Sequence, residues 1–445
     1  MLTRLEIDGF KSFRNFAIDF QPFQVLIGPN GVGKTNLFDA IVLLSHLAAG
    51  YSVEAAFDGG RGEIAEQFTM YPDGTHAQKI AFAAEMLVGN SVQAENGKAL
   101  KVSSTRLRYE VDLESRVEDG RERVYVSREE LTTIPESADR WIKDNIPAKN
   151  RKAWALREKR PPYIETSGDK DKSTIHRNED APGGGRESFT VGQLDKTILS
   201  SSNVLRYPTA YAALEEMSHW RFLQLNPPTV RLQGEKQESD ALRPNGSNLA
   251  AVLGRMSKEN AGSLDAVLRD LSGFIPDLKN ITIKPVAGRD ESAIEIESKE
   301  GLRFSSRVLS DGTLRLLALV TLKNDPQHRG LLCFEEPENG VQPQRLKQIV
   351  DVLLSLSTHL SGAAPEGNLR QVLVNTHSPG ILASVPADSL FYVGMRNEDK
   401  RRATHIVPVK PLLIADTDDK YYTWEQVKQY LDALPPAKSL EKPGF

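Results

Sequence analysis

The residues best suited to chemistry lie in one glycine-rich stretch, Gly28-Pro29-Asn30-Gly31-Val32-Gly33-Lys34-Thr35. It fits the pattern G-x-x-x-x-G-K-[ST], in which glycines let backbone N–H groups turn towards phosphate oxygens. In such a loop Lys34 places its charge on the β- and γ-phosphates, and the Thr35 hydroxyl is a ligand for Mg²⁺. The stretch therefore predicts a site for a nucleoside triphosphate.

Two regular elements must hold that loop in place. Residues 23–27, Phe-Gln-Val-Leu-Ile, form an apolar run that predicts a buried strand. Residues 36–44, which begin at Asn36, have the apolar spacing of a helix, and the positive end of its dipole would face the phosphates. A strand, a loop and a helix in this order are the context that the motif requires.

A second run, residues 331–338, reads Leu-Leu-Cys-Phe-Glu-Glu-Pro-Glu and brings two adjacent carboxylates to the end of an apolar strand. Open α/β sheets bind ligands at the carboxyl ends of their strands. One carboxylate there can hold Mg²⁺ or its water shell, and the next can polarise an attacking water. Phosphoryl transfer needs these two roles side by side.

Two further segments fit the same scheme. Asn375-Thr-His377-Ser-Pro379 follows another apolar strand pattern, and a histidine there can contact a γ-phosphate and sense its presence. Ser310-Asp311-Gly312 precedes a predicted helix over residues 311–322, whose start is suited to an anion. Taken alone, the first is more often a hydrogen-bonded histidine at a strand end, and the second is more often a helix cap.

The composition sets limits on the function. The 445 residues, 39% hydrophobic and 26% charged, suit a globular protein with two or three domains. The net charge of −4 means that any nucleic-acid contact must come from a local patch. A single cysteine, Cys333, excludes an intrachain disulfide. Without a membrane-length apolar run or a signal-peptide core, we expect a cytoplasmic protein with no membrane partner.

The chain divides into four predicted segments: an N-terminal lobe (1–130), a helical and loop insertion (131–275), a C-terminal lobe (276–410) and a tail helix (411–445). The tail helix would begin at the capping box Thr423-Trp-Glu-Gln426. Within the insertion, residues 166–188 have a flexible-loop composition, and helices are predicted over 209–225, 247–258 and 263–274.

The order of the motifs resembles a known family. A phosphate loop, then L-S-x-G, apolar-E-E-P-E and T-H-S-P, resembles the ABC-type ATPase heads of the SMC, RecF and OLD group. It is more closely similar to the bacterial predicted ATPases of the AAA-21 class. The opening residues 5–13 also resemble this group, and the likeness covers most of 1–130 and 200–410. It implies an α/β fold, a P-loop NTPase with an ABC-ATPase-like head, a β-rich N-terminal subdomain and an α-helical insertion.

The resemblance also implies site roles by position, with ATP and Mg²⁺ as cofactors. Residues Gly28 to Asn36 would bind the nucleotide, with Lys34 on the γ-phosphate, while Glu336 would be the catalytic base and His377 the switch histidine. The metal would be held by Thr35, Glu335 and the loop glutamine, for which Gln67 is the candidate.

Two more pairs of residues take implied roles. Phe13 and Arg14 would flank the adenine. Ser310 and Gly312 would contact the γ-phosphate of an opposite protomer, which implies a homodimer around ATP. Asp311 stands where the family usually has glycine, and an acidic side chain near a γ-phosphate is unfavourable unless it points away.

Three hypotheses of function follow. The first is an ATPase whose heads close on ATP and open after hydrolysis, acting on DNA or controlling a partner in DNA repair or anti-phage defence. The alternative is a nucleotide-dependent scaffold or sensor that sequesters or activates a nuclease or toxin with little turnover. Asp416-Thr-Asp418 matches the D-x-D of a nuclease domain, but the residues after it are too few to build one, so a nuclease would be another chain.

The third hypothesis is DNA binding by a basic cluster. A tryptophan among basic residues could stack a base while they bind phosphates, and a solvated helix face is the alternative. The members are Lys149, Arg151, Lys152, Trp154, Arg157, Lys159 and Arg160.

Overall fold

The computed structural model describes residues 1–58, 60–118, 121–168, 173–181, 183–191, 194–230, 234–235, 241–285, 291–362, 364, 369–398, 401–410 and 422–423. Its strands are β1 (Leu2–Asp8), β2 (Phe16–Asp19), β3 (Phe23–Ile27), β4 (Lys79–Leu87), β5 (Ser91–Gln93), β6 (Ala99–Lys101), β7 (Arg106–Glu118), β8 (Arg121–Thr133), β9 (Ile164–Ser167), β10 (Thr174–Asn178), β11 (Arg186–Thr190), β12 (Arg221–Leu223), β13 (Gly234–Glu235), β14 (Leu278–Pro285), β15 (Glu291–Ser298), β16 (Arg303–Ser305), β17 (Gly330–Glu335), β18 (Arg370–Thr376), β19 (Leu390–Glu398), β20 (Arg401–Lys410) and β21 (Tyr422–Thr423).

The α-helices are α1 (Lys34–Ala48), α2 (Val53–Asp58), α3 (Ile64–Gln67), α4 (Arg140–Asn145), α5 (Arg151–Trp154), α6 (Pro208–Ser218), α7 (Pro227–Val230), α8 (Leu249–Glu259), α9 (Ser263–Ser272), α10 (Asp311–Asn324), α11 (Leu346–Ser355) and α12 (Pro379–Leu382). Short 3₁₀ turns lie at Ala148–Asn150, Leu199–Ser201, Ser306–Val308, Pro343–Arg345 and Ala387–Ser389. No helix in the described ranges is long and apolar enough to cross a membrane.

The N-terminal part of the chain builds an antiparallel sheet in the order β11-β10-β9-β8-β7-β4-β1-β2. Its strands alternate buried and exposed residues, as in β2, where Phe16 and Ile18 are buried and the two residues between and after them are exposed. Such alternation is typical of a sheet with one solvated face. The buried face packs on α1, whose Leu37 and Ile41 belong to the same hydrophobic cluster.

A second sheet carries the motifs. Its order is β12-β17-β18-β3-β19-β20-β21, and β12 through β19 run parallel. Alternate residues of β17 face opposite ways: Leu331 and Cys333 join the cluster around α1, while Leu332 and Phe334 join the cluster of helices on the other side. Both faces are therefore covered, which explains why β17 is apolar throughout rather than alternating.

The span from 131 to about 190 differs from the predicted insertion. β8 crosses the expected boundary at residue 130, and β9 to β11 extend the N-terminal sheet, with Ile164 opposite Leu131. Ile164 and Ile175 are fully buried and anchor these short strands. Each strand is only four or five residues long, too short for an alternating pattern to stand out from the polar residues around it.

One predicted helix is shorter in the structure than the sequence suggests, and two predicted features lie outside the described residues. The helix predicted over 209–225 ends at Ser218, and β12 follows because Phe222 pairs with Cys333 at the edge of the parallel sheet. The helix predicted over residues 263–274 is α9, which spans Ser263–Ser272 and has Gly262 at its N-cap. Asp416-Thr-Asp418 and the tail helix lie outside the described residues, apart from β21.

Candidate nucleotide-binding site

Three neighbouring strands end together and bring the motifs to one edge. In the register of the sheet, Glu335 of β17 is opposite Asn375 of β18, and Thr376 of β18 is opposite Ile27 of β3. The glycine-rich loop follows Ile27 directly. Because parallel strands end at a common edge, segments some 300 residues apart in the chain converge there.

The glycine-rich loop packs against the hairpin formed by β19 and β20. Gly33 has φ +100°, and a Cβ atom there would lie 2.2 Å from the Thr404 hydroxyl of β20. That hydroxyl contacts the Val32 carbonyl at 2.8 Å and the Ser12 hydroxyl at 2.7 Å. Glycine is therefore required at residue 33 both by backbone conformation and by space.

Lys34 lies inside the loop rather than in solvent. It is 8% exposed, and its ammonium donates to the Gly28 carbonyl at 2.6 Å and the Pro29 carbonyl at 2.7 Å. Burial lowers the pKa of Lys34 to about 8, and the nearby carboxylates of Glu336 and Glu335 oppose that shift. The ammonium is thus a desolvated charge that phosphate oxygens would attract.

Thr35 and Glu335, two of the residues expected to hold a metal, are in contact at the sheet edge. The Thr35 hydroxyl donates to Glu335 Oε1 at 2.9 Å, and the Asn375 side-chain amide donates to the same oxygen at 3.2 Å. Among the described residues, no group of three or more His, Cys, Asp or Glu side chains could hold a metal alone. The donor set fits Mg²⁺, which takes one or two protein oxygens and completes its shell with water and phosphate.

Glu336 and His377 are brought together beside Thr35 and Glu335. His377 Nδ1 lies 2.7 Å from Glu336 Oε1, and the Asn339 side-chain amide donates to Glu336 Oε2 at 2.6 Å. Glu336 has φ +47°, a strained value for a residue with a side chain, and its N–H donates to the Asn375 carbonyl at 2.8 Å. Both side chains are partly exposed, so a substrate can reach them.

Ser310 and Gly312 begin α10, as the sequence predicts. The Ser310 hydroxyl caps the helix by accepting from the Thr313 N–H at 3.2 Å, and Ser310 is exposed. A Cβ at Gly312 would lie 2.7 Å from the Gly340 carbonyl oxygen. The glycine therefore lets the helix start pack against the loop that carries Glu336.

Gln67 is not placed with the other candidate metal ligands. Its side chain is 1% exposed, and its amide donates to the Phe57 carbonyl at 3.0 Å, so it is engaged within the N-terminal lobe. Gln224, directly after β12, instead lines a cavity with Thr35 and Glu335. Sequence reasoning missed Gln224 because it assigned this segment to a helix, although Trp-Arg-Phe-Leu at 220–223 fits a short buried strand.

Phe13 and Arg14, the two residues predicted to flank the adenine, lie in different environments. Phe13 is fully buried and packs on Phe16 at a centroid distance of 4.5 Å, so it has no surface for a base. Arg14 is half-buried, with its guanidinium 5.6 Å from the centre of the Tyr71 ring. Arg14 and Tyr71 line a cavity with Lys11 and Arg402. The segment lies beside the phosphate loop, because Asn36 donates to the Ser12 hydroxyl at 2.9 Å.

Four of the seven residues in the basic cluster make contacts within the protein through their side chains. Trp154 is 2% exposed and donates to the Gly362 carbonyl at 3.1 Å, so it cannot stack a base. Arg157 pairs with Asp139, Arg160 lies over the Tyr163 ring, and Arg151 donates to the Ile146 carbonyl. The members that remain exposed are Lys149, Lys152 and Lys159.

A glycine-rich loop between a buried strand and a helix, with two adjacent carboxylates at the end of another parallel strand of the same sheet, defines an ABC-type P-loop ATPase head. The chain belongs to the family described as "AAA domain, putative AbiEii toxin, Type IV TA system", whose model matches residues 23–383.

Curated relatives match over short segments. The chain is 34% identical over 121 residues to Structural maintenance of chromosomes protein 1 of Schizosaccharomyces pombe, covering 25% of this chain and 10% of that protein. It is 36% identical over 80 residues to the DNA replication and repair protein RecF of Rhizobium leguminosarum bv. trifolii, covering 14% of this chain and 21% of that protein. The chain thus spans a small fraction of these relatives' length.

Solved structures are similar over most of the chain. One is an SMC head bound to the C-terminal winged-helix domain of ScpA, with a TM-score of 0.48 and 14% identity, covering 92% of this chain and 97% of that chain. Another is the SMC head domain from Thermotoga maritima, with a TM-score of 0.40 and 14% identity, covering 92% and 99%.

Proposed function

We propose that this chain binds ATP with Mg²⁺ and hydrolyses it at Glu336. One observation carries the proposal: the Thr35–Glu335 hydrogen bond of 2.9 Å lies at the same sheet edge as the 2.7 Å contact of His377 with Glu336. A metal cradle and a carboxylate base side by side are what phosphoryl transfer to water requires.

Each residue would have a distinct task in that reaction. Lys34 would leave its carbonyl partners for the β- and γ-phosphates. Thr35 and Glu335 would hold Mg²⁺, which would polarise the phosphoryl oxygens. Glu336 takes a proton from the attacking water. His377 keeps Glu336 in position through Nδ1, and its exposed ring would contact the γ-phosphate. Gln224 lines the same cavity as Thr35 and Glu335 and would hydrogen-bond to the metal's water shell.

Titration with a fluorescent ATP analogue, with and without Mg²⁺, tests the binding half of this proposal. Lys34→Ala should weaken binding by about tenfold or more, because a desolvated charge is lost. Glu335→Gln should remove most of the Mg²⁺ dependence. The exposed Lys143 offers a matched control, since Lys143→Ala should bind like the wild type. Equal affinities in all four proteins would contradict the assignment.

We further propose that two heads close on ATP, with Ser310 and Gly312 of each facing the nucleotide of the other. Ser310 is exposed at the start of α10, and the positive end of that helix dipole favours an anion there. Light scattering on the Glu336→Gln variant should show twice the monomer mass with Mg²⁺ and ATP, and the monomer mass without them. A monomer that has bound ATP would count against the sandwich.

The second candidate function is a nucleotide-dependent scaffold or sensor for a nuclease or toxin partner, with little turnover. Asp311 favours it, because an exposed carboxylate in the first turn of α10 disfavours close approach of a γ-phosphate. ATP turnover measured with and without the proteins encoded by adjacent genes distinguishes the ATPase from the scaffold. The scaffold function requires turnover to stay slow under both conditions.

If the chain binds DNA, the proposed contact surface is the exposed part of the basic cluster, which consists of Lys149, Lys152 and Lys159. The RecF relative is named for DNA replication and repair, which is in line with this partner. Three phosphate contacts should give a salt slope of about −3 in a plot of log affinity against log salt. Replacing the three lysines by glutamate should abolish that slope, and an unchanged slope would exclude this surface.

A further inference from the structure

Thr404 of β20 is a buried threonine that none of the motifs contains, and it lies against the glycine-rich loop. It is 3% exposed, and its hydroxyl donates to the Val32 carbonyl at 2.8 Å and to the Ser12 hydroxyl at 2.7 Å. A hydroxyl has one proton, so Thr404 shares that proton between the two acceptors. Its backbone N–H also donates to the Ser12 carbonyl at 3.0 Å. Thr404 is therefore joined both to the glycine-rich loop and to the connection between β1 and β2.

The Ser12 side chain extends these contacts to α1. Its oxygen also accepts from the Asn36 side-chain amide at 2.9 Å, and Asn36 lies in the first turn of α1. We call Val32, Thr404, Ser12 and Asn36 the hydroxyl bridge. Residues 33–35 lie in the chain between Val32 and Asn36, so the end of the glycine-rich loop is held between two fixed points.

The held carbonyl of Val32 sets the direction of the next N–H group. In a trans peptide the C=O and N–H bonds share a plane and point in opposite directions. Because Thr404 holds the Val32 carbonyl, the Gly33 N–H points away from Thr404. Gly31 has φ +79° and Gly33 has φ +100°, left-handed conformations that turn neighbouring N–H groups to one side and form a concave site for an anion. Thr404 thus fixes the orientation of one donor in that site.

The hydroxyl bridge is also packed closely against the loop. A Cβ atom at Gly33 would lie 2.2 Å from the Thr404 hydroxyl and 2.8 Å from the Ser12 hydroxyl. This approach is possible only because residue 33 has no side chain. Valine has nearly the shape of threonine but no hydroxyl, so Thr404→Val keeps the packing and removes the hydrogen bonds.

The segments that carry the bridge also line a neighbouring cavity. Lys11 and Arg14 lie close to Ser12 in the chain, and Arg402 is two residues before Thr404; these three line the cavity that contains Tyr71. We call it the Tyr71 cavity. An effect on the loop must therefore be separated from an effect on this cavity, which requires a ligand that has phosphates and no base.

We propose that Thr404 is a positioning residue for the triphosphate: its hydroxyl holds the Val32 carbonyl so that the Gly33 N–H is presented to a phosphate oxygen. This inference rests on the proposed binding of ATP. Thr404 acts through the loop and not by contact with the nucleotide. The β19–β20 hairpin thereby becomes part of the support of the phosphate site, although it carries none of the motifs.

The experiment measures the dissociation constants of a fluorescent ATP analogue and, by competition, of inorganic tripolyphosphate, with Mg²⁺ and the full chain. Thr404→Val should raise both constants by about tenfold and by the same factor, because the loop binds the phosphates of both ligands. Thr404→Ser keeps the hydroxyl and should stay within about threefold of the wild type. In steady-state hydrolysis, Thr404→Val should raise KM and leave kcat within about threefold, because binding and not the chemical step is altered.

Thr105→Val is the matched control for the loss of a buried threonine hydroxyl. Thr105 is 2% exposed, donates to the Trp154 carbonyl at 2.8 Å and accepts from the Leu156 N–H at 3.0 Å. Like Thr404→Val, this change should lower the midpoint of thermal unfolding, because a buried hydrogen bond is lost. It should leave both dissociation constants unchanged, which distinguishes a positioning role from a purely structural one.

Three results would overturn the inference. They are wild-type affinities in Thr404→Val, a loss confined to the ATP analogue, which would place the effect in the Tyr71 cavity, and an equally large loss in Thr404→Ser, which would mean packing alone. If Thr404→Val does not fold, Ser12→Ala takes its place, because it removes the oxygen that joins Asn36 to Thr404. It must weaken both ligands by one common factor of at least about threefold.

Failure of the proposed function gives a different result. A wild-type chain that binds neither ligand would contradict ATP binding, and this inference with it. A wild-type chain that binds both ligands, with Thr404→Val unchanged, contradicts this inference alone.

Discussion

The Thr35 hydroxyl donates a 2.9 Å hydrogen bond to the Glu335 carboxylate, although the two residues lie 300 positions apart. One belongs to the first turn of α1 and the other ends β17. Their contact exists because β17, β18 and β3 are adjacent parallel strands that end together. The same geometry sets Glu336 beside this pair, and the chemistry proposed for the site depends on it.

The buried ammonium of Lys34 predicts how nucleotide affinity changes with pH. Its pKa is lowered to about 8 by burial, so the free protein loses this charge as the pH rises through 8. Bound phosphate favours the charged form and raises the pKa, so affinity should be constant below about pH 8 and fall above it, by at most about tenfold per pH unit.

The measurement is the dissociation constant of a fluorescent ATP analogue from about pH 7 to about pH 10. Lys34→Arg provides the control, because an arginine stays charged over this range and should remove the slope even if its geometry weakens binding. A wild-type affinity that does not change above pH 8 would show that the Lys34 charge makes no contribution.

Gln224 and Gln67 should respond differently to replacement by alanine. Gln224 lines the cavity that contains Thr35 and Glu335, so Gln224→Ala should raise the Mg²⁺ concentration needed for half-maximal hydrolysis by about tenfold. Gln67→Ala removes a buried hydrogen bond to Phe57, so it should lower the free energy of unfolding by about 1–3 kcal/mol and leave the Mg²⁺ requirement unchanged. If Gln67→Ala raised the Mg²⁺ requirement and Gln224→Ala did not, Gln67 would be the metal-site glutamine instead.

Base recognition is expected at Tyr71 and Arg14. Tyr71→Ala should weaken ATP binding by about tenfold, since stacking of a base on an aromatic ring contributes about 1–3 kcal/mol. Inorganic tripolyphosphate has no base, so its affinity should not change, and it serves as the matched control ligand. Equal losses for both ligands would mean that the Tyr71 change acts through the phosphate loop instead.

The sequence predicted the parts of this site that are encoded locally. The glycine-rich loop, Glu335, Glu336 and His377 all lie at the ends of strands whose apolar runs are continuous, because both faces of the parallel sheet are covered. That pattern is readable without an alignment, and α/β sheets collect ligands at one edge.

Other features depend on contacts that no local pattern records. Thr404 holds the phosphate loop from 372 positions away, through its contact with the Val32 carbonyl. Gln224 follows a strand of three residues, whose place is set by pairing with β17 rather than by its own periodicity. Phe13 and Arg14 are adjacent in sequence, yet one is in the core and the other faces a cavity.

Phosphate release by the wild type and by Glu336→Gln, at saturating ATP and Mg²⁺, tests the central claim most directly. The wild type should turn over, and Glu336→Gln should bind ATP with similar affinity yet release phosphate at least about a hundredfold more slowly, because the general base is lost. Glu338→Gln should not reproduce a loss of that size. Hydrolysis at the wild-type rate by Glu336→Gln would contradict the account.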